Sequence, residues 1–129
     1  MSALDKIRLA KAAAGSLAQA TTGQKDEAIR QVAALLITRT PEILSANGRD
    51  MALADENGVS ESLQDRLRLT EARIQEISQA ALKITNLPDP IGDVMRGMSL
   101  PNGLKLSQIR VPLGVIGCIY EARPNVTID

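Results

Sequence analysis

From Val111 to Tyr120 the chain carries no charged residue, and Val, Ile and Tyr dominate. A run of this length, rich in β-branched residues and bounded by polar ones, reads as a strand buried on both faces, the kind found inside parallel sheets. Such a strand requires neighbours on both edges. In open α/β sheets ligands bind just beyond the carboxyl ends of the strands. Here that position falls to Glu121, Ala122, Arg123, Pro124 and Asn125, which makes this segment the expected place for chemistry.

The sequence before this run is helical in pattern. Leu4, Ile7, Ala14 and Leu17 recur at helical spacing from about Ala3 to Ala20, and Ile29, Val32, Ala33 and Leu36 do so in a second helix that ends near Arg39. Thr40, Pro41 and Glu42 open a third: a hydroxyl cap, a proline where its missing N–H costs nothing, and an acid near the positive end of the dipole. That helix runs to about Glu56, with Asn57 and Gly58 as its stop. Ser60 and Glu61 begin a short helix to roughly Leu67, and Thr70 with Glu71 begins another whose buried stripe is Ile74, Ile77, Ala81 and Ile84. These apolar stripes are read as core, and no site residue is assigned to them.

At Leu87-Pro88-Asp89-Pro90 the composition changes from Ala-rich helix to a proline turn. Two strands are expected between Asp93 and Arg110 around Leu100-Pro101-Asn102-Gly103, because Asn-Gly favours a tight turn with positive φ. Met95, Met98 and Leu100 on one arm and Leu104, Leu106 and Ile109 on the other either cover a helix face or form an oligomer contact. The expected organisation is a helical segment over 1–87, a β-hairpin over 88–110, and the start of an α/β domain over 111–129.

Composition removes whole classes of function. There is no His and one Cys, so a histidine zinc site, a Ser-His-Asp triad, a Cys-His dyad and an internal disulfide are all excluded within this sequence. No metal site is expected. The 15 basic and 15 acidic residues cancel, and Tyr120 is the only aromatic residue, so neither the charge nor the stacking surface of a nucleic-acid binder is present. No stretch reaches the length and apolarity of a membrane span, and charges at Asp5, Lys6, Arg8 and Lys11 interrupt any signal-peptide core. A cytoplasmic location is expected, in keeping with a lone Cys.

Individual motifs admit plainer readings. Gly114 and Gly117 do not make the G-x-G-x-x-G fingerprint, and close approach of a neighbouring backbone explains them better. Cys118, in the middle of the apolar run with no base or cation near in sequence, reads as a buried inert thiol. Glu121 and Arg123 share a face of an extended segment and are expected to pair with each other. Asn125 reads either as the cap of a new helix over Val126–Asp129 or as an amide donor to a developing oxyanion.

With these residues in view, the sequence resembles the gamma-glutamyl phosphate reductase family, the acyl-phosphate-reducing branch of the aldehyde dehydrogenase superfamily. The resemblance rests on RVPLGVIGCIYEARPNVTID from Arg110. It is supported by ILSANGRD from Ile43, LQDRLRLTEARI from Leu63, LPDPIG from Leu87 and NGLKL from Asn102. It implies an α/β fold in which a helical layer and a β-hairpin lead into the first strand of an aldehyde dehydrogenase-like NADP-binding domain, truncated here. It implies NADPH-dependent reduction of L-glutamyl 5-phosphate to L-glutamate 5-semialdehyde and phosphate in proline biosynthesis, by a protein that is homo-oligomeric when complete. Asn125 falls on the family's oxyanion-stabilising Asn, and Tyr120, Glu121, Ala122 and Pro124 fall on the segment lining the nicotinamide pocket. Arg123 is a candidate anchor for the substrate's phosphate or carboxylate, since guanidinium offers bidentate geometry to either. Cys118 does not match the family nucleophile, which, like the phosphate-contacting glycine loop, lies in a region beyond this sequence. The expectation is therefore an N-terminal portion of the enzyme, inactive alone. Two other readings are a self-standing helical interaction or oligomerisation module and a small enzyme acting through Cys118.

Overall fold

The computed structural model describes Ser2–Ile128. Five α-helices come first: α1 (Ala3–Ala18), α2 (Thr22–Thr38), α3 (Thr40–Glu56), α4 (Glu61–Leu67) and α5 (Glu71–Ile84). An antiparallel hairpin of β1 (Val94–Ser99) and β2 (Lys105–Ile109) follows, and a short 3-10 helix spans Pro124–Thr127. These bounds match the helices and hairpin expected from sequence spacing to within a few residues. The chain divides into two compact units, one of Met1–Thr22 with Pro88–Gly117, the other of Gly23–Leu87 with Cys118–Asp129.

In the first unit α1 opens with a reciprocal capping box. The Asp5 N–H donates to Ser2 Oγ at 3.2 Å, while the Ser2 N–H and hydroxyl donate to Asp5 Oδ2 at 3.0 and 2.7 Å. The hydroxyl bond first, and the backbone bond second, hold the Asp5 carboxyl below its ordinary pKa. In the LPDPIG turn, Asp89 Oδ1 accepts from the Ile91 N–H and Oδ2 accepts from the Thr22 hydroxyl. The hairpin turn is a three-residue loop. Leu100 N–H donates to Leu104 O at 2.8 Å, Gly103 N–H donates to Leu100 O at 2.9 Å, and Gly103 takes φ +86°. Asn102 Oδ1 accepts from the Leu104 N–H, so both residues of the Asn-Gly pair work in the turn as expected. The arms pair Met98 with Leu106 and Val94 with Ile109, with an irregularity between Val94 and Arg96.

Several expectations fail in α1 and in the run from Val111 to Tyr120, which crosses from this unit into the second. The α1 stripe of Leu4, Ile7 and Leu17 is exposed, as are both arms of the hairpin. The run from Val111 to Tyr120 forms no ladder: Leu113 is 90% exposed and Ile119 103%. A parallel strand exists only through its neighbours' hydrogen bonds, and none of the described residues supplies an edge to it. Gly114, at φ +90°, also breaks regular extension, and nothing lies within 4 Å of a Cβ built there or on Gly117. Gly114 therefore serves backbone conformation, and neither glycine meets a neighbouring backbone among the described residues. Cys118, expected buried, is exposed for the same lack of a covering layer.

The second unit holds the core. Ile74 and Ala33 are each 1% exposed, joined by Ala54, Ala81, Ser78 and Asn47. Small residues at these positions let helices approach closely, and Ser78 Oγ uses that proximity to donate to Ala33 O at 3.0 Å. At its C-terminus α3 stops in a Schellman motif: Val59 N–H donates to Ala54 O, Gly58 N–H to Asp55 O, and Gly58 takes φ +66°. At its N-terminus the expected Thr40 cap is absent. Thr40 instead donates its hydroxyl back to Leu36 O at 3.0 Å, because the turn between α2 and α3 is tight enough to leave it within reach.

Candidate functional site

The candidate site lies within the second unit and is built on the turn that joins α4 to α5. Asn47, buried in the middle of α3, clamps that turn from beneath. Its Nδ2 donates to Leu67 O at 2.8 Å and its Oδ1 accepts from Leu69 N–H at 2.7 Å. A buried side-chain amide satisfied on both sides by backbone fixes a segment that has no ladder or helix of its own. Arg73, in the first turn of α5, closes over the other side. Its guanidinium donates to Asp65 O and Arg68 O and pairs with Asp65 Oδ1 at 3.1 Å. Thr70 caps α5 by accepting from the Arg73 N–H at 3.1 Å.

This held turn forms one wall of a cleft of about 570 Å³. Arg66 and Arg68 line it from the turn, and Arg73, Glu76, Ile77 and Ala80 from a single face of α5, spaced as neighbours on a helix surface are. The opposite lining is Arg123, Pro124 and Asn125. Four guanidinium groups thus meet two carboxylates, those of Asp65 and Glu76. Arg73 and Asp65 are spent on each other, whereas Arg66, Arg68, Glu76 and Arg123 make no ion pair among the described residues.

The segment from Tyr120 to Asn125 departs from an extended strand end. Ala122 takes φ +50°, a conformation that costs a non-glycine residue about 1–2 kcal/mol. That bend is why Glu121 and Arg123 form no ion pair: side chains two apart share a face only on an extended backbone. Pro124 then starts the 3-10 helix, with Arg123 as its cap residue and without a side-chain cap bond. Asn125 consequently sits inside the helical turn, its carbonyl accepting from Ile128 N–H at 2.9 Å, and is not the cap. Asp129, the last residue of the expected new helix, lies outside the described residues. Tyr120 closes the segment on itself through a 2.6 Å bond between its hydroxyl and Thr127 Oγ1.

Of the site residues expected from sequence, Arg123, Pro124 and Asn125 come together on the cleft, whereas Tyr120, Glu121 and Ala122 do not line it. The α4–α5 turn and the Asn47 clamp were assigned no role from the sequence. Their signal was a polar amide in mid-helix and the dense Arg pattern of DRLRLTEAR. No group of three or more potential metal ligands occurs among the described residues, and no helix among them is long and apolar enough to cross a membrane.

No family model matches the chain. It is 58% identical over 120 residues to gamma-glutamyl phosphate reductase of Thermobifida fusca, covering 93% of this chain and 29% of that protein. It is 50% identical over 124 residues to the enzyme of the same name from Anoxybacillus flavithermus. Among solved structures, gamma-glutamyl phosphate reductase of Thermotoga maritima superimposes with a TM-score of 0.92 at 44% identity, over 97% of this chain and 30% of that one. The Saccharomyces cerevisiae enzyme does so at 0.86 and 30% identity, over 99% of this chain and 33% of its own. The chain thus spans about 30% of the length of the curated relatives it matches. Along nearly all of its own length it is homologous, in sequence and in fold, to that share of gamma-glutamyl phosphate reductase.

Proposed function

We propose that the chain is the N-terminal portion of an NADPH-dependent reductase that converts L-glutamyl 5-phosphate to L-glutamate 5-semialdehyde and phosphate, in the cytoplasm, as a step of proline biosynthesis. What carries this reading is homology over 93% of the chain at 58% identity to a reductase of that name. The geometry supports it by setting Arg123, Pro124 and Asn125 on one cleft whose unpaired charges are mainly cationic, as an anionic substrate requires.

In this reading Asn125 donates its side-chain N–H₂ to the oxygen of the acyl group as negative charge develops on it. A thiolate from the part of the relatives' length that this chain does not span attacks the acyl phosphate carbon. The C–S bond forms, the C–O bond to phosphate breaks, and phosphate leaves as the anion. Arg123 receives the phosphate. When bound, a nicotinamide would supply the hydride to that carbon, after which the C–S bond breaks and releases the aldehyde and the thiolate. Tyr120, Glu121, Ala122 and Pro124 suit the nicotinamide end of the cofactor: Tyr120, its hydroxyl engaged by Thr127, offers a ring face, and Ala122 and Pro124 offer small apolar surfaces. The exposed run from Val111 to Ile119 fits a strand that pairs with further chain, because an apolar segment of this kind left open favours association with any free edge. The hairpin serves as an oligomerisation arm in the complete enzyme.

The test is the reverse reaction, NADP reduction with glutamate semialdehyde and phosphate. The complete polypeptide is expected to form NADPH and the 129-residue chain alone is expected to form none. NADPH formation by the chain alone, abolished by Cys118→Ser, would establish the small-enzyme reading instead.

A further inference from the structure

The cleft's polar lining is more specific than a general attraction for anions. Arg66 and Arg68 stand two residues apart on the α4–α5 turn, and Glu76 faces the same space from α5. Arg66 lies in the last turn of α4, and Arg68 is its C-cap with extended φ and ψ of −64° and 124°. Surface arginines are ordinarily solvated and mobile, but the backbone beneath these two is fixed on both sides, by Asn47 at Leu67 and Leu69 and by Arg73 at Asp65 and Arg68. Arg66 and Arg68 thus bring two guanidinium groups, and Glu76 one carboxylate, to the same cleft with no ion pair among the described residues. Leu69, Ile77 and Ala80 add apolar lining to the same cleft, which Arg123, Pro124 and Asn125 also line.

Two cationic groups and one anionic group in a cleft that also has apolar lining complement a zwitterionic head on a short methylene chain: a carboxylate, an ammonium and the CH₂ groups behind them. The geometry points to Arg66, Arg68 and Glu76 as the subsite that recognises the α-amino-acid end of the substrate, with Arg66 and Arg68 taking the α-carboxylate and Glu76 the α-ammonium. This inference rests on the proposed reduction only in its orientation, which leaves Arg123 and Asn125 facing the end where the reaction occurs. It makes the α4–α5 turn a specificity element. A carboxylate chelated by guanidinium gains charge-assisted, bidentate bonds, and an aldehyde or acyl phosphate lacking the head group leaves Glu76 and the arginines uncompensated.

The subsite is tested by binding, which needs no turnover, and then by kinetics. In calorimetric titrations of the complete polypeptide, L-glutamate is expected to bind about tenfold or more tightly than glutarate, which lacks the ammonium. Arg66→Ala/Arg68→Ala is expected to weaken L-glutamate about tenfold or more, and Glu76→Gln to bring L-glutamate down to the level of glutarate. Glu76→Gln is nearly isosteric on an exposed helix face, so it remains informative if the double Arg variant does not fold. In the reverse assay the same variants are expected to raise KM for glutamate semialdehyde while kcat, and turnover of butanal, change less than about threefold. Unchanged L-glutamate binding in both variants would overturn the subsite. So would L-glutamate failing to bind the parent protein while 2′,5′-ADP binds and loses affinity in Arg66→Ala/Arg68→Ala, since that pattern assigns the arginines to a nucleotide phosphate. Absence of all turnover with L-glutamate binding still dependent on Arg66, Arg68 and Glu76 would leave the subsite standing and refute the proposed reduction.

Discussion

Asn47 shows how much one polar side chain can organise. It is buried in a helix whose other buried residue is an alanine, and its two hydrogen bonds hold the turn that carries Arg66 and Arg68. Asn47→Ala strands the Leu67 carbonyl and the Leu69 N–H, and is expected to lower stability by about 1–3 kcal/mol in denaturant unfolding. Asn47→Asp keeps the acceptor for Leu69 and loses the donor to Leu67, so it should also destabilise and should do so more at neutral than at acid pH. Its one mark in the sequence is an amide in mid-helix, which is weak, since periodicity separates apolar from polar faces and cannot say which polar residue will be buried. Asn125 is the opposite case. Its position beyond the apolar run marked it in the sequence, and what could not be read was the bend at Ala122 that moves it from a cap into a helical turn. As the proposed oxyanion donor, Asn125→Ala in the complete enzyme is expected to lower kcat by about 10²–10³-fold with little effect on folding.

At the scale of elements, glycine stops and turns were the most legible part of the fold, because their signals are local. Gly58 and Gly103 occupy the positions expected of them, whereas the Thr40 cap does not form and the Ser2–Asp5 box was not read from the sequence. Gly58→Ala forces a Cβ into φ +66° with open space around it, so its cost is purely conformational, about 1 kcal/mol, visible as a lowered Tm. The Ser2–Asp5 box gives a pH dependence whose sign is fixed. The folded carboxyl titrates below its ordinary value of 3.8, so its contribution is complete above that value and is lost as the pH falls through the lowered folded pKa. Helicity of α1 should decline over that acid window, and the decline should be absent in Asp5→Ala. The strand over Val111–Tyr120 was the element least legible. Composition correctly marks it as apolar, but a strand is a property of the pair, and nothing within the described residues pairs with it.

Over the whole molecule, the distribution of apolar surface is the informative quantity. Among the described residues four hydrophobic ones are buried, all in the second unit, while apolar side chains of α1, the hairpin and the 111–119 run stand exposed. A chain of this size ordinarily buries far more of its surface, and the chain spans about 30% of the length of the relatives it matches. The 129-residue chain alone is accordingly expected to self-associate with rising concentration in sedimentation experiments, and Ile116→Lys with Ile119→Lys should suppress that association. In the proposed reading, Asn125 stabilises charge on an acyl oxygen only when a thiolate from outside this sequence is brought to it. The most direct measurement is NADP reduction by the complete polypeptide with glutamate semialdehyde and phosphate, compared with its Asn125→Ala and Cys118→Ser variants. The account predicts turnover in the parent, a loss of about 10²–10³-fold in Asn125→Ala, and no loss in Cys118→Ser; full activity in Asn125→Ala, or inactivation by Cys118→Ser, would contradict it.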